Sequence, residues 1–219
     1  MNPTEHYYVE SPESQKTYYT ISEEVLGNQL DLVTCSGMYS PHKIDEGSII
    51  HLEFAKIKDK DKVLDLGCGY GTVGILVKKL YPKTEVWMTD INERAVECAK
   101  DNVKNNNVKA EVTQSDGFEK IKTNFDVILF NPPIHAGLKV CYRLIAGSFD
   151  HLNMDGTLQV VLRPREGGKS IIKKMSSIFG NAEKIGEKEI YAVYLSKKQT
   201  EEPVSEYDKK KASIPTFKT

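Results

Sequence analysis

Long apolar runs, paired cysteines and an excess of one charge are all missing from this chain. No stretch of about 18 apolar residues occurs in its 219 residues, which excludes a transmembrane helix. The opening MNPTEHYYVESPESQ is polar and acidic, unlike a signal peptide. Four cysteines, Cys35, Cys68, Cys98 and Cys141, stand far apart without a CxxC pair. That argues against a disulfide scaffold or a zinc module, leaves no metal expected, and makes a reducing cytoplasm the expected compartment. Lys and Arg number 30 against 31 Asp and Glu, a formal net charge of −1. A protein that gathers nucleic acid by diffuse attraction is more basic, so any contact with RNA has to rest on local patches. What is present, 39% hydrophobic and 28% charged residues, suits one soluble globular domain with an appendage.

Residues 1–16 carry prolines and charges without a periodic apolar face and read as a loosely held lead-in. Tyr18–Val25 and Gln29–Val33 read as a hairpin turning at Gly27-Asn28. Asp45 is placed to cap a helix through Ile49, Ile50, Leu52 and Phe54. Then strands and helices alternate: strands 62–67, 85–90, 110–114, 125–130 and 157–163, with helices 72–80, 93–105, 140–152 and 170–179. Two closing strands, 182–186 and 189–196, predict an antiparallel hairpin at the sheet edge. This rhythm predicts an α/β sheet, mostly parallel, with helices on both faces. The expected divisions are an extension over 1–55, a core domain over 56–197 and a disordered charged tail over 198–219.

The strongest local signal is DLGCGYGTVG (65–74), where a strand turns into a helix. Gly67, Gly69 and Gly71, with Cys68 among them, let a backbone approach a ligand. Thr72 occupies the place where dinucleotide enzymes have the last glycine of G-x-G-x-x-G. Asp65, just ahead of the loop, suits an ammonium and a sulfonium and repels a pyrophosphate. Asp90, followed by Ile91, ends the next strand, placed to accept both ribose hydroxyls of a nucleoside or to cap the following helix. Asp116-Gly117 follows the third strand, and Asp116 by itself reads as a plain turn residue. Asn131, Pro132 and Pro133 follow the fourth strand. The prolines stiffen the loop, remove two donors and are expected to leave carbonyls pointing outward. With the Asn131 oxygen they would accept hydrogen bonds from a planar NH₂ group, turning its lone pair toward a methyl donor.

Asp65 with the glycine loop looks like the first motif of class I S-adenosylmethionine (SAM)-dependent methyltransferases. That likeness implies that Asp116 receives an adenine amino group. NPPIHAG (131–137) resembles the small-domain methyltransferases related to the bacterial ribosomal RNA guanine-N2 enzymes, and EHYY (5–8), SGMYSPHKIDEGS (36–48), TDINERAVE (89–97) and REGGKSI (165–171) extend the likeness over residues 5 to 197. The chain looks like that family's single-domain version, without the extra N-terminal domain of the two-domain members. The resemblance implies a Rossmann-like SAM methyltransferase fold with a seven-stranded sheet, an antiparallel edge hairpin and a small N-terminal β-hairpin. It implies SAM as cofactor and guanine N2 in ribosomal RNA, or the small ribosomal subunit, as target. Asn131, Pro132, Pro133 and His135 would form the catalytic loop, His135 as a substrate contact or a base, with Ile134 against the base. Tyr39 would be a lid over the SAM pocket or ordinary core. Lys139, Arg143, Arg163, Arg165 and Lys169 would hold phosphates or form a solvated basic surface. The rivals are a protein glutamine amide methyltransferase, against which Ile134 in place of an aromatic argues, a non-catalytic SAM- or RNA-binding module, and a nicotinamide dehydrogenase. Either a monomer or a homodimer is compatible with the sequence.

Overall fold

The computed structural model describes residues 8–12 and 15–204. Strands β1 (Tyr18–Val25) and β2 (Asn28–Cys35) pair antiparallel, with Val25 opposite Asn28. The turn is therefore Leu26–Gly27 rather than Gly27-Asn28. Both residues sit at positive φ, +50° and +74°, the backbone of a two-residue turn whose twist matches its strands. Helix α1 (Glu46–Phe54) starts as expected: the Asp45 carboxylate accepts from the Ser48 backbone N–H at 2.9 Å.

Beyond α1 the chain runs β3 (Lys62–Leu66), α2 (Thr72–Leu80), β4 (Glu85–Asp90), α3 (Glu93–Asn105), β5 (Glu111–Gln114), β6 (Phe125–Phe130), α4 (Leu138–Asp150), β7 (Leu152–Leu162), α5 (Lys169–Phe179), β8 (Glu183–Lys188) and β9 (Tyr191–Lys197). These seven strands form one sheet in the order β5-β4-β3-β6-β7-β9-β8; β9 is antiparallel to its neighbours and the other adjacent pairs are parallel. Successive residues of β3 face opposite ways. Val63 joins a core with α2, α3 and the hairpin, while Leu64 and Leu66 join a core with α4 and α5. Covered on both faces, β3 and β6 read as apolar runs. Register aligns Leu66 with Thr89 and Phe130, and Asp90 with Gln114, so the carboxyl ends of β3, β4, β5 and β6 finish together. The chain order reverses between β3 and β6, and the crevice outside that point is where such sheets bind ligands.

The hairpin is stapled to the core by asparagines. Asn102 on α3 accepts from the Val33 N–H (2.7 Å) and donates to its carbonyl (2.8 Å), and Asn106 does the same for Asp31 (3.3 and 2.8 Å). Their amides pair the outer edge of β2 as a further strand would. Two expectations of loose ends are corrected where the chain is described. In the lead-in, the Glu10 carbonyl accepts from the Glu93 N–H (3.0 Å) and the Pro12 carbonyl from Arg94 (2.6 Å). In the tail, Lys198 is 8% exposed, its ammonium donating to the Leu152 carbonyl (3.0 Å), and the Val204 N–H donates to Ile178 (2.9 Å). The remainder of the expected tail, from 205, and Glu5, His6 and Tyr7 of EHYY lie outside the described residues. No helix among the described residues is long and apolar enough to cross a membrane.

Candidate active site

Three of the expected signals, the glycine loop, Asp90 and the Asn-Pro-Pro loop, converge on one cavity of about 200 Å³ at the β3/β6 crevice. The loop after β3 takes positive φ at Gly67, Gly69 and Gly71 (+73°, +55° and +92°), which L side chains resist. Four of its backbone donors are already engaged within the protein. Gly67 and Cys68 N–H both donate to the Thr89 carbonyl (2.8 and 2.9 Å), Gly69 N–H to the Asp90 carboxylate (2.8 Å), and Gly71 N–H to the Cys68 carbonyl (2.9 Å). The loop therefore does not present the fan of free N–H groups that cradles a pyrophosphate. It presents two acids instead. Asp65 is 5% exposed and accepts from the Gly74 N–H (2.9 Å). Burial pushes its carboxyl up to about 7, the Gly74 N–H pulling down and the nearby Asp90 pushing up. Asp90 accepts Gly69 N–H on one oxygen and Asn92 N–H (2.9 Å) on the other, and burial raises its carboxyl as well. Both oxygens are thus fixed in position with lone pairs to spare. Burial raises the Cys68 thiol well above its usual value, so it is no nucleophile.

The Asn-Pro-Pro loop forms the facing wall. Pro133 sits at φ −75°, ψ 71°, an inverse γ-turn, and a single 3₁₀ turn follows over Ile134–Ala136. The Pro132 carbonyl accepts from the Ile134 N–H (2.8 Å) and that of Pro133 from the Ala136 N–H (2.9 Å). Each proline carbonyl, expected to point outward, thus takes one N–H from its own loop and keeps a second lone pair. Asn131 donates its side-chain amide to the Asp45 carboxylate (3.1 Å). Asp45 also accepts from Ser48 and, on its other oxygen, from the Tyr39 hydroxyl (3.0 Å). Its role beyond helix capping was not visible in the sequence, because the contact spans 86 positions.

Asp65, Gly67, Cys68, Gly69, Asp90, Ile91, Gly117, Asn131, Pro132, Pro133, Ile134, His135, Tyr39 and Arg163 all reach the cavity. Gly71 stands behind it as the residue before α2, its Cα hydrogen facing Ala99. Asp116 turns away: its carboxylate takes Arg143 (2.5 Å) and the Tyr8 hydroxyl (3.2 Å), while Ser115 and Gly117 make the cavity wall. Both contacts fall on Asp116 Oδ1, and Arg143 is correspondingly committed to Asp116. Arg163 binds the Tyr191 hydroxyl (2.6 Å) and pairs with Glu166 (3.1 Å). Lys139 and Lys169 are exposed at the starts of α4 and α5, and Arg165 is exposed in the Pro164–Gly168 turn before α5. Tyr8 and Glu166, from the EHYY and REGGKSI segments, also line the cavity, and Tyr191 lines it without any motif that announces it.

A model of the methyltransferase small domain family matches residues 29–195. Bacillus subtilis YbxB is 32% identical over 199 residues, 89% of this chain and 99% of that protein. The ribosomal RNA small subunit methyltransferase C of Haemophilus influenzae is 37% identical over 153 residues, 68% of this chain but 46% of that enzyme. Among solved structures, the Thermus thermophilus 16S rRNA N2 methyltransferase, in complex with AdoMet and guanosine, shares the fold with a TM-score of 0.77 and 24% identity, over 86% of this chain and 52% of that one. The chain thus spans about half the length of these two enzymes.

Proposed function

We propose that this chain, which belongs to the methyltransferase small domain family, transfers the methyl group of SAM to the N2 amino group of a guanine in ribosomal RNA. The observation that carries the reading is the meeting of Asp65, Asp90 and Asn131 around one cavity at the sheet's switch point. The residues fit SAM. Two buried carboxylates suit its ammonium and ribose. An added Cβ at Gly67 or Gly69 meets no protein atom within 4 Å, so the loop is open on its ligand side.

When bound, SAM supplies a methyl group on a positively charged sulfur, which needs no strongly basic acceptor. Asn131 accepts one N–H of the guanine amino group through its Oδ1, which orients the nitrogen lone pair along the line of transfer and favours the charge that develops on nitrogen. Ile134 packs against the base, and His135, exposed at the cavity mouth, contacts the substrate. The surplus proton leaves to water after transfer, so no dedicated base is required. Lys139 and Lys169 at the exposed starts of α4 and α5, with Arg165 in the turn before α5, hold phosphates that flank an unpaired or flipped-out nucleotide. A near-neutral chain with such a patch grips RNA locally rather than by its overall field.

The test is transfer of labelled methyl from SAM to RNA and protein fractions from cells lacking the gene, followed by nuclease digestion. Label is expected as N2-methylguanosine in ribosomal RNA. Asn131→Ala is expected to abolish transfer while SAM affinity stays within about twofold. Label in protein with RNA blank would move the function to amide methylation.

A further inference from the structure

We propose that Asp45 is a positioning residue for transfer: it fixes which end of the Asn131 amide faces the substrate. The inference rests on the reading of Asn131 as the acceptor for the amino group. An asparagine has a donor end and an acceptor end of nearly equal size, and only the acceptor end can take a hydrogen bond from an amine. Nothing in the Asn-Pro-Pro loop itself selects between the two. A carboxylate does, because it only accepts. With Asp45 Oδ2 at 3.1 Å from Nδ2, the NH₂ end is drawn to Asp45 and Oδ1 is the end left for a ligand.

Asp45 is itself held on several sides. The Ser48 N–H (2.9 Å) and hydroxyl (3.2 Å) fix Oδ2, and the Tyr39 hydroxyl (3.0 Å) fixes Oδ1. The carboxylate therefore has a defined position before any ligand arrives, and part of that definition comes from the first turn of α1. One residue thus links the N-terminal extension to the transfer chemistry without touching the reacting atoms. It also explains why Tyr39, 44% exposed, keeps its ring over the cavity: its hydroxyl is tied to the same carboxylate.

Capping and positioning separate by side-chain length. The Asp45→Ser variant would still cap α1, but its hydroxyl is too short to reach Asn131, whereas Asp45→Asn keeps both the cap and an oxygen at the right distance. The expected result for Asp45→Ser is a fall in kcat of about 100-fold, with the KM for RNA and the affinity for SAM within about twofold. Asp45→Asn is expected to recover most of kcat. The double variant of Asp45→Ser with Asn131→Ala is expected to match Asn131→Ala alone, since the first acts through the second. Equal activity of Asp45→Ser and wild type, or losses that add in the double variant, would overturn the proposal. A second readout needs no substrate. The side-chain amide proton pair of Asn131, identified by its loss in Asn131→Ala, is expected to be shifted and slow to exchange in wild type and Asp45→Asn, and to move to free-amide values in Asp45→Ser. An amide pair unchanged in Asp45→Ser overturns the anchoring. A wild type that methylates no RNA overturns the functional reading while leaving the spectrum to decide the anchoring.

Discussion

On the proposed reading, Asp65 is expected to make SAM binding a proton-release reaction. It ends β3 almost wholly buried, with one backbone N–H, that of Gly74, as its donor. Burial raises its carboxyl from an ordinary 3.8 to about 7. At pH 6 the free protein therefore holds about 0.9 proton there. A cationic ligand beside Asp65 favours the ionised form, so binding expels that proton. Affinity for SAM is expected to rise about tenfold per pH unit up to pH 7 and then level off. Titration calorimetry at pH 6, in two buffers of different protonation enthalpy, is expected to count about 0.9 proton released by wild type and none by Asp65→Asn. The free protein carries the opposite dependence. The folded state keeps this proton up to about pH 7 and the unfolded chain only to about 3.8, so Asp65 stabilises the fold below pH 4 and loses that contribution as pH rises through 7. The gap corresponds to about 4 kcal/mol as an order of magnitude. Relative to Asp65→Asn, urea midpoints of wild type are expected to fall between pH 5 and 7.5. Calorimetry that finds no proton released at pH 6, or the same number from the Asn variant, would refute the placement of Asp65 beside the ligand's charge.

Asp90→Ala removes two fixed carboxylate oxygens and is expected to weaken SAM about 30- to 100-fold by calorimetry; an unchanged affinity would assign the ribose to another residue. Asn102→Ala strips partners from the buried N–H and C=O of Val33 and from the Tyr70 carbonyl. It is expected to cost about 3 kcal/mol in denaturant unfolding, and a loss under about 1 kcal/mol would show that water replaces the amide. Gly74→Ala drives a Cβ into the Met88 sulfur in a sealed core. A loss of about 1–3 kcal/mol is expected, partly restored by adding Met88→Ala, and strictly additive losses would refute the steric account.

The elements that were legible in the sequence share one property: their boundaries are set by their own residues. Helices α2 and α3 begin and end as read, since a glycine turn and the Asn92 cap start them and the apolar spacing stops with them. Strands β4 and β6 are likewise as read; β6, a mostly apolar and buried run, leaves little choice of register. What escaped depends on partners elsewhere. Asn28 looks like a turn residue but pairs in β2, because Leu26 accepts a left-handed backbone. Strand β7 starts five residues early, at Leu152, because a bulge with Asp155 at φ +65° lets pairing with β6 run past Gly156. Asp116 sits at the expected strand end, yet its side chain answers to Arg143 on α4. The Pro132 and Pro133 carbonyls take N–H groups from Ile134 and Ala136, which the tight turn after them brings close.

Long-range bonds tie the segment before residue 55 to the rest of the chain. The segment after β2 is held by each of the core's ligand-facing parts. Tyr70 of the glycine loop donates to the Ser40 and Lys43 carbonyls (3.2 and 3.1 Å). Asn92, beside Asp90, donates to the Gly37 carbonyl (3.0 Å), and Arg94 to that of Ser36 (3.2 Å). Asn131 reaches Asp45. Each bond pairs a residue next to a cofactor or transfer motif with a backbone or carboxylate oxygen of residues 36–45. The apolar packing runs the same way: Ile21, Leu30 and Leu32 of the hairpin share a core with Ile75 and Leu76 of α2. A wall fixed at that many points does not drift relative to the floor. The cavity therefore has its shape before a ligand enters, which is the condition under which a side-chain oxygen such as that of Asn131 stabilises charge without first having to reorganise.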